Sequence, residues 1–166
     1  METKREALLQ QFQHFLETAS DASLDAVSAC IQGAEQKDAD LTHTYINGLL
    51  NYQGKLTESD GYKASITLNP FTLNTLNITH GGILATFADT VMGTHVFQLL
   101  PDNQAAVTSE MSIHFIAPAL GEQLHASSEV VHRGNRLCVM DCKIKDDKGK
   151  LVATSTGSFF IIKRKN

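Results

Sequence analysis

Two groups of residues in this sequence have the chemistry to act on a carbonyl. The first is His80-Gly81-Gly82. Two glycines at the start of a helical pattern let a ligand come close to the backbone. The first-turn N–H groups of a helix have no intrahelical partner, and the helix dipole favours negative charge there. Such a terminus can stabilise a developing oxyanion. His80, just upstream, can donate a hydrogen bond or orient a carbonyl. The second group is Asp89, midway along the same pattern and flanked by Phe87, Ala88, Val91 and Met92. Counting by three and four, its face is Gly82, Ala85, Thr86, Gly93 and Val96. These mostly small residues permit close approach of another helix or a ligand. A carboxylate so placed can serve as general base or nucleophile. Each group also has a plainer reading: the glycines as a tight loop before a helix, and Asp89 as a solvated side chain.

Gly81 and Asp89 are separated by 89 − 81 = 8 positions, about 12 Å along a helix axis. A reacting carbonyl must lie about 3 Å from both its oxyanion donor and its base or nucleophile. One chain cannot meet that requirement. Two such helices packed antiparallel across a twofold can, because Asp89 of one then lies near Gly81 of the other. If these residues form one site, the molecule is a dimer with two shared sites.

The elements that hold them follow from pattern. The long helix runs from Ile83 to about Leu100 and is closed by Pro101-Asp102-Asn103. Upstream, Leu8, Leu9, Phe12, Phe15 and Leu16 recur at helical spacing. A second helix starts at Ser20-Asp21 or Ser23 and carries Leu24, Val27 and Ile31, weakened by Gly33 and the polar run to Asp40. A third short helix has Tyr45, Ile46, Leu49 and Leu50 on one side. Residues 63–68 form a short strand ended by Asn69-Pro70, and residues 75–79 are loop-like. Beyond the long helix come four strands, at 105–117, 122–132, 136–145 and 151–163. The last two are joined by the turn Asp146-Asp147-Lys148-Gly149. Cys138, Met140, Cys142 and Ile144 alternate with Val139, Asp141 and Lys143, which suggests one buried face. A run of strands beside one helix implies α+β with an antiparallel sheet of five to six strands. Residues 1–40 form a helical extension and 41–166 the main domain. One helix covers only one face of such a sheet, so the other face or an edge calls for a second copy of the chain.

Composition narrows the functional classes. Apolar residues are 42% and charged residues 19%, which suits a folded domain. The net charge is −4, and residues 1–40 hold three basic against eight acidic side chains, so nucleic acid is a poor partner. No apolar run approaches the roughly 18 residues of a membrane span. The acidic start, Met1-Glu2-Thr3-Lys4-Arg5-Glu6, has no apolar core of the secretory kind, so a cytoplasmic location is expected. Three cysteines make no disulfide framework and read as buried thiols. The scattered histidines suggest no metal site, and no cofactor is expected. His114, His125 and His132 lie on strands and read as structural or exposed. His95, near the end of the long helix, most simply complements its dipole. From residue 130 onward there are nine Lys or Arg and three Asp. Arg133 and Arg136 in particular could meet phosphates, against the plainer reading of a solvated strand face.

The ordered set Asn74, His80-Gly81-Gly82 and Ala88-Asp89-Thr90 resembles the hotdog-fold acyl-CoA thioesterases of the phenylacetate type. The resemblance continues through Ala106-Val107-Thr108, Ile113, Phe115, Pro118-Ala119, Gly121-Glu122 and Arg133-Gly134-Asn135-Arg136-Leu137, and covers residues 45–163. It departs at Thr79, a position often small or apolar, and in the helical extension. It implies a hotdog fold, with the sheet wrapped around the long helix, and hydrolysis of acyl-CoA to acid and CoA without metal or cofactor. By this resemblance Asp89 is nucleophile or general base, and Gly81 N–H polarises the thioester carbonyl. Asn74 and His80 position the thioester or the attacking water, and Thr108 holds that water. Gly82, Thr90, Arg133 and Arg136 contact the substrate. The assembly implied is a homodimer or homotetramer. Phe71, Phe87 and Met92 are candidates for the pocket lining. Two rival readings remain: a non-catalytic acyl-CoA sensor, and a hotdog dehydratase, which needs a catalytic histidine at a spacing this sequence does not offer.

Overall fold

The computed structural model describes residues 3–164. Helix α1 (Lys4–Thr18) opens the chain, fixed by a capping box in which Thr3 and Glu6 satisfy each other's backbone N–H. Helix α2 (Asp21–Asp38) begins after Ser20, whose side chain accepts from Ser23 N–H. Gly33 does not weaken it. Gly33 is buried where α2 crosses the short helix α3 (Tyr45–Leu49). A Cβ on Gly33 would lie 2.6 Å from Leu49 N, and one on Gly48 would lie 2.1 Å from the Gly33 carbonyl oxygen. Two glycines therefore let the two backbones touch. In α3 the apolar side of the sequence divides: Leu50 is buried, while Tyr45 and Ile46 are exposed.

The body is one six-stranded antiparallel sheet in the order β1-β2-β4-β5-β6-β3. Its strands are β1 (Gln53–Leu56), β2 (Tyr62–Thr67), β3 (Gln104–Phe115), β4 (Gln123–Arg133), β5 (Leu137–Asp146) and β6 (Leu151–Lys163). Strand β1 has no signal in the sequence, because all four of its residues are exposed and none alternates. A 3₁₀ turn at Pro70–Thr72 follows β2, and helix α4 (Gly81–Leu99) then crosses the sheet. Helix α4 buries Leu84, Phe87, Ala88, Val91, Met92, His95 and Val96. The helical spacing of these residues turns one face to Tyr62, Ile66, Leu124, Ala126, Met140, Ile144 and Phe159 of the strands. At about 1.5–3 kcal/mol for each large apolar side chain removed from water, this layer dominates the stability of the domain. Gly157 of β6 lets α4 come close, since a Cβ there would lie 2.9 Å from Met92 Cε. The turn into β6 is held by the Asp146 carboxylate, which accepts from Lys148 and Lys150 N–H at 3.0 and 2.8 Å, and Gly149 adopts a φ of +79°.

Several expectations are corrected. Phe87 and Met92 have no exposed surface and belong to the core, so they line no pocket, and Phe71 is half exposed. Cys30 is exposed on α2, unlike Cys138 and Cys142, which are buried on β5. Burial pushes the Cys142 thiol up to about 12 and raises Cys138. His95 is fully buried and is no dipole cation. Its Nε2 donates to the Asp60 carbonyl at 2.9 Å, its Nδ1 lies 3.2 Å from Ser128 Oγ, and its ring stacks on Tyr62. Desolvation lowers its pKa, so the neutral ring is the form that packs.

Candidate active site

Helix α4 starts where the chain makes a tight loop. Asn74 Oδ1 accepts from Leu76 N–H at 2.8 Å and from Ile78 N–H at 3.4 Å. His80 N–H donates to the Thr72 carbonyl and Thr79 N–H to the Ala119 carbonyl, which ties the loop to the strand layer. His80 is the N-cap of α4, and its Nδ1 accepts from Gly82 N–H at 2.9 Å. The site residues therefore divide by the hydrogen bonds they have left. Gly82 has spent its N–H on His80. With Nδ1 as acceptor, the neutral His80 ring carries its proton on Nε2 and has only a donor to offer. Asn74 has spent its carbonyl oxygen on its own loop and keeps the amide N–H₂. Gly81 N–H, first in the helix, has no acceptor within it.

Asn74, Gly81, Ile78, Leu84, Phe115 and Pro118 line an open groove of about 350 Å³. Gly81 sits against the ring of Phe115, where a Cβ would come within 3.3 Å. The groove joins an apolar wall to a set of donors, which suits a carbonyl carrying an apolar substituent.

Asp89 lies on the face of α4 that its own sheet leaves open. Gly82, Ala85, Thr86, Asp89, Thr90 and Gly93 are all half-buried or exposed. Thr108 of β3 donates its hydroxyl proton to Asp89 Oδ1 at 2.7 Å. A register shift between Thr108 and Glu110 marks a bulge in β3 at this point, a device that re-aims a side chain beside a site. The bond fixes one carboxylate oxygen and leaves Oδ2 open for a proton or an electrophile. Because Thr108 donates to Asp89, a water beside it can only be held by the hydroxyl's lone pairs.

The structure thus brings Asn74, His80 and Gly81 together at one end of α4 and joins Asp89 to Thr108 halfway along it. Thr90 follows Asp89 on the open face. The two arginines lie elsewhere. Arg133 ends β4 and donates through Nη2 to the Leu99 carbonyl at the far end of α4. Arg136 precedes β5, and its carbonyl accepts from Ile161 N–H. Thr108 had no signal in the residues themselves. Its partner lies 19 positions away, and only the sheet order brings the two together. Among the described residues no three His, Cys, Asp or Glu side chains converge to hold a metal, and no helix is long and apolar enough to cross a membrane.

Comparison with known proteins supplies the class. Residues 76–153 match the thioesterase superfamily, the stretch that holds His80-Gly81-Gly82, Asp89 and Thr108. The chain belongs to that superfamily, and its fold is the hotdog fold. A Bacillus halodurans protein whose crystal structure was determined with CoA is 37% identical, with a TM-score of 0.84 over 91% of this chain and 100% of that one. A Saccharolobus solfataricus protein classed by name among the esterases is 30% identical over 88 residues, 53% of this chain and 62% of its own length. A phenylacetic acid degradation-related protein of Ralstonia eutropha shares the fold at 22% identity, with a TM-score of 0.68 over 78% of this chain and 98% of that one.

Proposed function

We propose that this chain is an acyl-CoA thioesterase of the phenylacetate type, working in the cytoplasm as a homodimer or as a tetramer built from such dimers. Each site takes Asp89 and Thr108 from one subunit and Gly81, His80 and Asn74 from the partner. The observation that carries this reading is the separation of donor set and acceptor along α4. Gly81, Asn74 and His80 offer donors alone, and Asp89 Oδ2 is the open acceptor. The two sets lie about 12 Å apart on one helix, and an antiparallel twofold closes the gap.

The chemistry fits a thioester, which is already activated. The carbonyl oxygen lies against Gly81 N–H, which stabilises the negative charge that develops on it. Asp89 either attacks the carbonyl carbon or takes the proton of an attacking water. The tetrahedral intermediate then collapses and expels CoA thiolate, giving the free acid directly where water attacked, or an acyl anhydride on Asp89 that water then hydrolyses where Asp89 attacked. The Bacillus halodurans relative with CoA in its crystal structure supports CoA as the carrier. Retention of Asp89, clamped by Thr108, favours hydrolysis over simple binding.

The test is hydrolysis of a panel of acyl-CoA esters by the wild type and by Asp89→Ala. The expected result is turnover of at least one ester by the wild type and a loss of about 100-fold or more in the variant, the scale of a removed acid–base group. Tight binding of acyl-CoA with no turnover of any ester would make the chain a sensor instead.

A further inference from the structure

We infer that helix α1 is an interaction surface for a second copy of itself: two α1 helices pair antiparallel across a twofold beside Phe12, and the contact joins two of the proposed dimers into a tetramer. The tetramer rests on the proposed dimer, and the α1 pair adds what ties two dimers together. Helix α1 is well made and uncovered. Its capping box fixes its start, yet it buries no residue in its own chain. An isolated helix of this length is marginal in water, so its apolar stripe calls for cover. Leu8, Leu9, Phe12, Phe15 and Leu16 span roughly 120° of the helix at about 100° per residue. Phe12 stands at the middle of the stripe, where it lines a groove of about 380 Å³ with Leu24, Val27 and Ile31 of α2.

The order of the residues names the occupant. Leu8 and Leu16 lie equally far from Phe12, 12 − 8 = 16 − 12 = 4, and so do Leu9 and Phe15, 12 − 9 = 15 − 12 = 3. An apolar pattern that reads the same in both directions is self-complementary under a twofold, the form of contact that two identical chains make. In the antiparallel pair Leu8 of one copy meets Leu16 of the other, Leu9 meets Phe15, and the two Phe12 rings meet at the axis. Charge fixes the direction. Arg5 lies on the same face, 12 − 5 = 7 positions before Phe12. A parallel pair sets Arg5 against its own copy, and like charges so placed repel. The antiparallel pair sets it against Ala19, 19 − 12 = 7 positions after Phe12, and opposes the two helix dipoles. The polar side of α1 carries Gln10, Gln13, His14 and Glu17, with no row of cations for an anionic lipid surface.

Area sets the role of the contact. Leu8, Leu9 and Leu16 are 63%, 58% and 50% exposed. Together they offer about 300 Å² per copy, well under the roughly 800 Å² a side of a stable interface. A contact of that size holds copies already joined elsewhere. Two dimers that close on each other form it twice, and the second pairing is then intramolecular.

The experiment is sedimentation of the full chain. The wild type should run as a tetramer and Leu8→Glu/Leu16→Glu as a dimer, with the same far-UV circular dichroism and the same turnover per chain. Both positions are at least half exposed, so the variant loses no core. Equal masses for wild type and variant would overturn the pairing and leave the shared active site untouched. An active monomer in the variant would keep the α1 pair and overturn the shared site. Oxidation reads the register in a Cys30→Ser background, since Cys30 is exposed. Phe12→Cys stands at the axis and should form a disulfide-linked pair at least tenfold faster than Leu8→Cys, whose two copies lie about 12 Å apart along the helices. Leu8→Cys and Leu16→Cys chains, mixed and left to exchange subunits, should also link, which keeps the test open if the loss of the Phe12 ring loosens the pair. Faster linking of Leu8→Cys to itself than of either combination would overturn the antiparallel register. Binding to phosphatidylglycerol vesicles that Leu8→Glu/Leu16→Glu abolishes, with no difference in mass between the two proteins, would give the stripe to a membrane and overturn the inference.

Discussion

Thr108 is the residue on which the orientation of the acid depends. Its hydroxyl holds Asp89 Oδ1 at 2.7 Å, so Thr108→Val should leave the fold intact and lower kcat by about tenfold, with Thr108→Ser restoring most of it, as steady-state kinetics would show. His95 gives a different kind of prediction, one of stability. The unfolded ring titrates near 6.5 and the folded ring lower, because burial penalises its charge. As pH falls, the unfolded chain takes up the proton first. Stability is therefore full above about 6.5 and declines as pH drops from there toward the folded value. The groups facing the ring are the Asp60 carbonyl, Ser128 and Tyr62, and the hydrogen bond and negative charge of Asp60 only partly offset the cost of burying the charged ring. Melting temperatures between pH 7.5 and 5 should fall for the wild type, and the slope should flatten in His95→Gln.

Among the elements, α4 was the most legible in the sequence, because its glycine start, its apolar spacing and its proline stop all agree. The alternation of β5 was equally plain, and the burial of Cys138, Met140, Cys142 and Ile144 follows it. What pattern could not give was anything fixed by a partner far away in the chain. Strand β1 exists only because β2 pairs with it. The bond from Thr108 to Asp89 depends on β3 sitting at the edge beyond β6. The interior placement of His95 depends on Ser128 and Asp60, on elements that the spacing along one helix cannot report. Gly33 looked like a breaker and is a contact point. That correction makes a prediction: Gly33→Ala drives a Cβ into the backbone of Leu49, which cannot move as a side chain would. The α2–α3 crossing should open at a cost of about 1–3 kcal/mol, visible in urea denaturation, while Ala34→Gly nearby costs about 1 kcal/mol from helix propensity alone.

At the scale of the whole molecule, two surfaces lack a cover in the single chain. One is the open face of α4 together with the edge of β3, twelve residues whose outer N–H and C=O groups have no strand beside them. In the proposed dimer this is where the partner sits, so dilution below the dimer dissociation constant should abolish activity while far-UV circular dichroism stays unchanged. A monomer in sedimentation with full turnover would refute the shared site. The other is helix α1, which buries no residue and leaves Leu8, Leu9 and Leu16 at least half exposed. Deleting residues 1–18 should barely change the melting temperature of the body and should shift the oligomer distribution read by light scattering.

The uneven placement of the three thiols has a practical consequence. Cys138 and Cys142 are sealed in the sheet and held protonated by burial, while Cys30 stands on the outer side of α2. A maleimide dye added to the native protein therefore marks one position per chain, with no engineering. Energy transfer between dyes on different copies then measures how far apart the α2 helices lie in the assembly.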